Sequence, residues 1–281
     1  MSKTTFDTTE RFLRDVAIPE QTLTYKPILH GDLIDLTRQG IREAGFTIER
    51  ESYSMAADGK IANGRYTIAD IRDEEMQIQI AWQNSYNKQI TLKWAIGIHV
   101  FICGNGCVSG DMGSFKRKHT GDIQELTPKW ISEYISTASS VFAEMQIIRE
   151  QMKLVYVGLD TAAEILGKLF FVEDVLYSTQ MNILKKELKN ATHNYGAPES
   201  LWELYNFVTF SLSSIHPSEW MESHEKVHKY FLGILEYHME WEEDLPSVVE
   251  NVVIEKEEEI PFSPYKQLDW TEEINRLSEE L

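Results

Sequence analysis

The sequence predicts an α+β protein, in which an antiparallel sheet of about four strands in the N-terminal half is packed by long helices of the C-terminal half. The first observation is an alternation of apolar and polar residues between positions 76 and 102, which is the period of a β-strand. The second is a change near Thr127 to apolar residues three and four positions apart, which is the period of an α-helix. The strand-like segments also follow one another through short turns, which favours antiparallel pairing.

Residues 1–29 are rich in threonine and contain Pro19 and Pro27, so we expect an extended N-terminal arm with a short helix near Glu10–Asp15. The following region, residues 30–126, is expected to hold one helix and the sheet. In that helix Asp32 is a favourable N-cap, and Gly45 suits its C-terminal end.

The strongest strand signal is a long β-hairpin at residues 76–102, preceded by two shorter strand-like segments at 46–54 and 65–71. In its second strand seven large apolar residues alternate without interruption, so a slip of one residue would turn them all toward water. The residues Asn84 to Lys88 suit the turn between the strands, because Asn and Ser side chains can bond their own backbone. The glycines around Asn105 predict a sharp bend after the second strand.

The C-terminal half is predicted to be a helical region, residues 127–240, that packs on the sheet. Thr127 and Pro128 favour the start of a long helix that continues to about Met152. Further helices are expected from Asp160 to about Asn190, from Glu199 and from Pro217.

The last segment, residues 241–281, is predicted to be an acidic tail that ends in an amphipathic helix, Trp270–Leu281. It contains 13 acidic residues against Lys256, Lys266 and Arg276, so −10 of the net charge of −18 lies there. This concentration of negative charge repels nucleic acid mainly at one end of the chain.

The composition gives further expectations about the compartment. Two cysteines in 281 residues provide no disulfide framework, which favours a reducing cytoplasm. We find no apolar run of membrane-spanning length and no cleavable signal pattern, so we expect no membrane partner.

Five short motifs are spread along the chain. They are Ile18-Pro19 with Thr24-Tyr25, Gln83-Asn84-Ser85-Tyr86, Cys103-Gly104-Asn105-Gly106, Lys118-His119-Thr120-Gly121, and Trp202-Glu203-Leu204-Tyr205-Asn206 with Thr209. Together they resemble the phage- and plasmid-type proteins of domain-of-unknown-function family 932, over roughly residues 15–235 and with departures from the family pattern at Asn87 and Gly104. The resemblance implies a protein of phages, prophages or mobile elements in the cytoplasm of a bacterial host cell. It brings no established activity and no known catalytic residues.

A nucleic-acid site is the preferred functional hypothesis, with the chain acting as a single-stranded nucleic-acid binding or annealing accessory protein. It combines the polar turns of the hairpin with the dense basic cluster that follows, whose cations can contact phosphates, and Tyr86, Trp94 and Phe115 could stack bases if exposed. The alternative is that the polar residues only satisfy backbone groups at turns and that the cations form a solvated loop. The candidate residues are Asn84, Ser85, Tyr86, Lys93, Asn105, Lys116, Arg117, Lys118 and His119.

Two weaker patterns suggest zinc. The sequence His224-Glu225-Lys226-Val227-His228 spells HExxH, which on a helix places two histidines on one face with a glutamate as general base, and so gives an alternative function as a zinc hydrolase. The competing interpretation is an amphipathic helix whose histidines pack beside Trp220, Phe231 and Leu235. Cys103 and Cys107, with His99 and His119, form a second possible ligand set. We favour no metal, no cofactor and no enzymatic activity.

The acidic tail suggests protein partners. The segment Glu255 to Phe262 is similar to the acidic tip of bacterial single-stranded-DNA-binding proteins, which recruits other proteins. The tail could therefore bind phage or host proteins, and an alternative function is a protein-binding module that acts on a host defence complex. Homo-oligomer formation stays open.

Overall fold

The computed structural model describes residues 6–100, 105–108, 114–189 and 199–243. The predicted tail helix and Cys103 lie outside the described residues, and of Asn105 and Cys107 only the backbone is described. The chain divides into two units, Met1–Leu232 and Gly233–Leu281, and the sheet with its covering helices belongs to the first.

The N-terminal arm contains a two-residue strand β1 (Asp7–Thr8) and the predicted short helix α1 (Glu10–Asp15). The hydroxyl of Thr9 caps α1 by accepting a hydrogen bond from the amide of Phe12. Helix α2 (His30–Glu43) begins two residues before the predicted N-cap Asp32, which instead lies in its first turn. Gly45 follows the end of α2 with a φ of +82°, as the sequence predicted for that position.

The sheet is antiparallel and larger than the predicted four strands. Six strands follow one another in the order β1-β2-β3-β4-β5-β6, and β7 pairs with the part of β5 that β6 leaves free. The prediction missed β1, β6 and β7 because none exceeds four residues, which is too short to show an alternating pattern. The other strands are β2 (Ile48–Ala56), β3 (Ile61–Arg72), β4 (Met76–Ser85), β5 (Leu92–Val100), β6 (Asn105–Val108) and β7 (Ser114–Arg117).

The predicted hairpin is β4 and β5, and its register places Trp82 opposite Trp94. The two sheet faces differ in chemistry. One carries the alternating apolar side chains and packs against α2, where Trp94 lies 3.4 Å from the hydroxyl of Thr37. The other carries Asn63, Gln79, Gln83 and Lys93, and it is nevertheless buried. We call this second face the polar face.

The C-terminal half is helical, as predicted, although the helices are shorter. The predicted long helix from Thr127 is two helices that meet at Ser136 and Thr137, and the predicted stretch from Asp160 breaks near Asp174, whose φ is 50°. A capping box at Ser200 and Glu203 starts the seventh helix. The helices are α3 (Ile123–Ile135), α4 (Ala138–Leu154), α5 (Leu159–Phe171), α6 (Ser178–Lys189), α7 (Leu201–Ser211) and α8 (Trp220–Glu243).

The beginning of α8 lies over the polar face. The carbonyl of Pro217 accepts hydrogen bonds from the amides of Asn63 and Gln83, and Lys93 pairs with Glu222. The sheet therefore lies between α2 on its apolar face and the start of α8 on its polar face. Among the described helices, none combines the length and the apolar character needed to cross a membrane.

Candidate functional site

The polar end of the hairpin is buried. The side chains of Asn84 and Ser85 are 0% exposed, Tyr86 is 6% exposed and His119 is 5% exposed. Their polar atoms bond inside the protein, as in the interpretation that assigned them to satisfying backbone groups. These four members of the predicted site therefore present no surface to an outside ligand in this structure.

Asn84 is the centre of a hydrogen-bond network that also includes Tyr25, His30, Tyr86 and His119, which we call the Asn84 network. The amide nitrogen of Asn84 donates to the carbonyl of Ile28 at 2.7 Å and lies 3.1 Å from Nδ1 of His30. Its amide oxygen lies 2.6 Å from Nε2 of His119. All polar atoms of this side chain are thereby satisfied.

His30 is fixed as a neutral ring by its surroundings. Its Nε2 lies 2.9 Å from the carbonyl of Gly59, which can only accept, so the proton is on Nε2 and Nδ1 accepts from Asn84. The ring stacks on Tyr86 at 3.9 Å. Burial lowers the pKa of His30 to about 4, and burial likewise lowers the pKa of His119.

The Asn84 network ties the N-terminal arm to the hairpin. The hydroxyl of Tyr86 accepts from the backbone amide of His30 at 2.8 Å, and the hydroxyl of Tyr25 donates to the carbonyl of Tyr86 at 3.2 Å. His30 was not predicted as part of this site, since a single histidine after a proline-containing arm has no distinctive spacing. The network is a structural joint between segments that are far apart in the chain.

Three predicted cations come together at a different place. Lys93 on β5 is paired with Lys116 on β7, and with Arg117 they line a cleft of about 290 Å³. We call this the β5–β7 cleft. Lys118 is exposed but does not line it. The other lining residues are Trp94, Ala95, Ser114, Phe115, Tyr134, Met221 and Glu225.

The charges of the β5–β7 cleft are partly balanced by α8. Nζ of Lys93 lies 3.4 Å from a carboxylate oxygen of Glu222. Burial, together with the nearby charge of Lys116, lowers the pKa of Lys93. The charge of Lys93 in turn lowers the pKa of Glu222. Lys116 and Arg117 are exposed, and the guanidinium of Arg117 donates to the backbone carbonyl of Lys116 at 3.0 Å. The cleft therefore offers two exposed cations and one that is held by a carboxylate.

The aromatic residues that line the cleft are buried. Trp94 is 0% exposed and Phe115 is 5% exposed, and their rings stack at a centroid distance of 6.0 Å. Neither ring, nor that of the buried Tyr86, is free to stack on a base in this structure. The guanidinium of Arg117 lies 4.9 Å from the centroid of the Trp130 ring, which holds this cation beside the cleft.

The HExxH histidines lie in the core. His224 and His228 are each 2% exposed, His224 packs against Trp220 at 4.9 Å, and Nδ1 of His228 lies 3.1 Å from the hydroxyl of Tyr205. Burial lowers the pKa of His224 to about 3 and that of His228 to about 4. In the described part of the chain, no three His, Cys, Asp or Glu side chains are grouped to hold a metal. The zinc hydrolase alternative therefore has no ligand set among these residues.

His99, the other histidine proposed for zinc, has its Nε2 2.8 Å from the guanidinium of Arg50. A metal at that nitrogen would have to displace this contact.

Arg65 is a second residue that was not predicted as part of a site. It lies on β3 with its side chain on the polar face, next to Asn63 and under Trp220. The alternation of Asn63, Arg65 and Thr67 was the available signal, since it matches the alternating glutamines of β4.

No family model matches the chain, and no match is found among curated proteins or among solved structures.

Proposed function

We propose that the protein binds the phosphate backbone of a single-stranded nucleic acid in the β5–β7 cleft, as an accessory protein of a phage or mobile element. The observation that carries this proposal is the convergence of Lys93, Lys116 and Arg117 on one cleft. Cations at close range neutralise phosphates and release the counterions of the nucleic acid. The mobile-element setting rests on the resemblance of the sequence motifs.

The size of the cleft favours a single strand. At about 290 Å³ it is at the lower end of small-ligand sites, which are about 300–1,000 Å³, so it can accept a nucleotide unit but not a double helix. Because the aromatic side chains that line the cleft are buried, contact with the backbone is expected to supply the affinity rather than stacking of bases. Binding should therefore depend little on base sequence.

The acidic character of the chain restricts where binding can occur. Glu222 and Glu225 lie beside the cleft, and the net charge of −18 opposes a polyanion elsewhere on the molecule. Phosphates are therefore expected to bind only where the three cations outnumber the neighbouring carboxylates.

The test measures the binding of a labelled oligothymidylate to the full chain by fluorescence anisotropy at several salt concentrations. Lys116→Ala and Arg117→Ala should each weaken binding several-fold at low salt and should each reduce the slope of log K against log salt by about 0.7, the value for one phosphate contact on a single strand. Glu222→Gln should tighten binding, because it removes a carboxylate that competes for Lys93.

Lys118→Ala is the matched control, because Lys118 carries the same charge next to the cleft without lining it. It should change affinity and salt slope much less than Lys116→Ala. Equal effects of the two substitutions would show that the cleft is not the binding site, and absence of binding by the wild-type chain at low salt would end the proposal.

A further inference from the structure

The segment that joins α4 to α5 carries an exposed apolar cluster. Leu154 is 86% exposed, Tyr156 is 77% exposed and Leu159 is 73% exposed. The ring of Tyr156 lies 3.6 Å from the position that a Cβ of residue 158 would occupy, so the ring lies beside Gly158. We call these three exposed residues the α4–α5 cluster. Contiguous apolar surface on a folded chain often marks a contact with another molecule.

The backbone of this segment forms one short antiparallel pairing. Tyr156 lies opposite Ser200. The amide of Val157 donates to the carbonyl of Glu199 at 3.1 Å, and the amide of Leu201 donates to the carbonyl of Val155 at 2.9 Å. These two bonds lie on either side of the pair of Tyr156 and Ser200, which makes it a non-hydrogen-bonded pair of an antiparallel ladder.

This pairing leaves the backbone groups of Tyr156 unused. In a non-hydrogen-bonded pair the N–H and C=O groups of the two residues point away from each other. The amide and carbonyl of Tyr156 therefore point away from Ser200, and neither has a hydrogen-bond partner among the described residues. An unpaired donor and acceptor on one edge form a template on which a further strand can pair.

We propose that the α4–α5 cluster pairs with the same cluster of a second copy of this chain, so that the protein forms a dimer with two-fold symmetry. Tyr156 of one copy lies opposite Tyr156 of the other, and the two residues exchange both N–H···O=C bonds. A two-fold axis brings the same patch of both copies together. The exposed apolar side chains around each Tyr156 are then removed from water, which supplies the driving force.

The charges at the two ends of the segment favour a second copy in the antiparallel orientation. Lys153 precedes the cluster and Asp160 follows it. An antiparallel arrangement places Lys153 of each copy near Asp160 of the other, whereas a parallel arrangement would bring like charges together. Lys153 also contacts Glu75 and Glu150 of its own chain, so its attraction to Asp160 sets the orientation of the dimer more than its affinity.

The small size of the cluster predicts a weak dimer. Ile147 lies seven residues before Leu154, hence on the same face of α4, and it is also exposed. Four apolar residues are nevertheless far fewer than the roughly 20–30 residues that each partner contributes to an interface of standard size. We therefore expect a reversible dimer with a dissociation constant in the micromolar range.

This surface is separate from the proposed nucleic-acid site. None of the residues of the α4–α5 cluster lines the β5–β7 cleft. Dimer formation and nucleic-acid binding can therefore succeed or fail independently.

The experiment measures the sedimentation velocity of the full chain from low to high micromolar concentration. The sedimentation coefficient should rise with concentration, as expected for a reversible equilibrium between monomer and dimer. Leu154→Glu should weaken the dimer at least about tenfold, because it places a charge within the apolar contact. Leu23→Glu is the matched control, since Leu23 lies in the N-terminal arm, outside the cluster, and is 98% exposed. It should leave the dissociation constant unchanged.

Two substitutions at Tyr156 separate backbone pairing from apolar contact. Tyr156→Pro removes the N–H group that the pairing requires, and it should weaken the dimer at least about tenfold because both hydrogen bonds of the pair are lost. The fold should be kept, since this amide has no partner within the described chain and Val155 has the extended backbone that a following proline needs. Tyr156→Leu retains the N–H group and an apolar side chain, so it should weaken the dimer much less.

The melting temperature of each variant, followed by circular dichroism, checks that the fold is intact. A wild-type chain that stays monomeric at the highest concentration would overturn the proposal. A dimer that persists unchanged in Leu154→Glu would place the interface elsewhere and overturn it as well. Equal effects of Tyr156→Pro and Tyr156→Leu would exclude the backbone pairing on which the proposal rests.

Discussion

At the scale of single residues, Asn84 shows how one buried amide can join three segments of the chain. It donates to the carbonyl of Ile28 and to His30, and it accepts from His119. No other side chain of similar size offers two donors and an acceptor in this arrangement. The partners come from the arm, the start of α2 and the segment after β7, so a local defect here would loosen the attachment of all three to the hairpin.

We therefore predict that Asn84→Ala destabilises the protein by about 3 kcal/mol, because it removes the partner that Asn84 provides to the carbonyl of Ile28, to Nδ1 of His30 and to Nε2 of His119 in a buried site. The measurement is urea unfolding followed by circular dichroism. Asn87→Ala, in the same turn, is the control, since Asn87 bonds only within the turn, to Gln89. A loss of stability at Asn84 no greater than at Asn87 would show that the network contributes little.

At the scale of elements, the pairing of β3 with β4 depends on a glycine. Gly64 lies opposite Trp82, and the indole ring occupies the space where a Cβ at position 64 would be. The same ring donates a hydrogen bond to the hydroxyl of Tyr66 at 3.2 Å. A glycine inside a strand normally weakens it, and here the close approach of the ring explains its presence.

Gly64→Ala is accordingly expected to destabilise the protein by about 2–3 kcal/mol, because the fully buried Trp82 cannot move without disturbing the core. Gly167→Ala, in helix α5, is the matched control. No atom lies within 4 Å of a Cβ at position 167, so that substitution should stabilise the chain by about 0.5–1 kcal/mol through helix propensity. Thermal unfolding of the two variants measures both effects, and a neutral Gly64→Ala would contradict the tight packing.

The elements also show what the sequence could predict. The long alternation of β4 and β5 identified the hairpin, because seven apolar residues must share one face. The burial of the polar face was not predictable, because a strand pattern of Gln77, Gln79 and Gln83 is typical of a solvent-exposed face. Only the position of Pro217 and α8 in three dimensions explains how Asn63 and Gln83 become buried.

The candidate site, like the sheet, could be predicted only in part from the sequence. The run Lys116, Arg117 and Lys118 is visible as a charge cluster, but the sequence cannot show that β7 pairs with β5 and places Lys93 beside Lys116. That pairing separates Lys118 from the cleft and makes it useful as a control. Arg65 contacts Trp220, and Glu222 contacts Lys93. Each of these contacts joins a strand to a helix that is distant in the sequence, so no local sequence pattern predicts it.

At the scale of the whole molecule, buried neutral histidines lie on both sides of the sheet. His30 lies at the start of α2, and His224 and His228 lie on α8. The pKa of each is lowered by burial, to about 4, about 3 and about 4 respectively. In the unfolded chain these histidines have an ordinary pKa near 6.5. Between the two pKa values the unfolded chain therefore binds protons that the folded chain does not bind.

The free energy of unfolding should therefore have its full value above about pH 6.5 and should fall as the pH decreases toward 4. Each lowered histidine pKa costs on the order of 3 kcal/mol once the unfolded state is protonated. Urea unfolding across this pH range measures the loss. His224→Leu removes one titrating ring whose Nδ1 has no partner, so it should flatten the pH dependence without lowering stability at neutral pH. A stability that is constant from pH 7 to pH 4, or an identical pH profile for His224→Leu, would show that these rings do not govern the acid sensitivity of the fold.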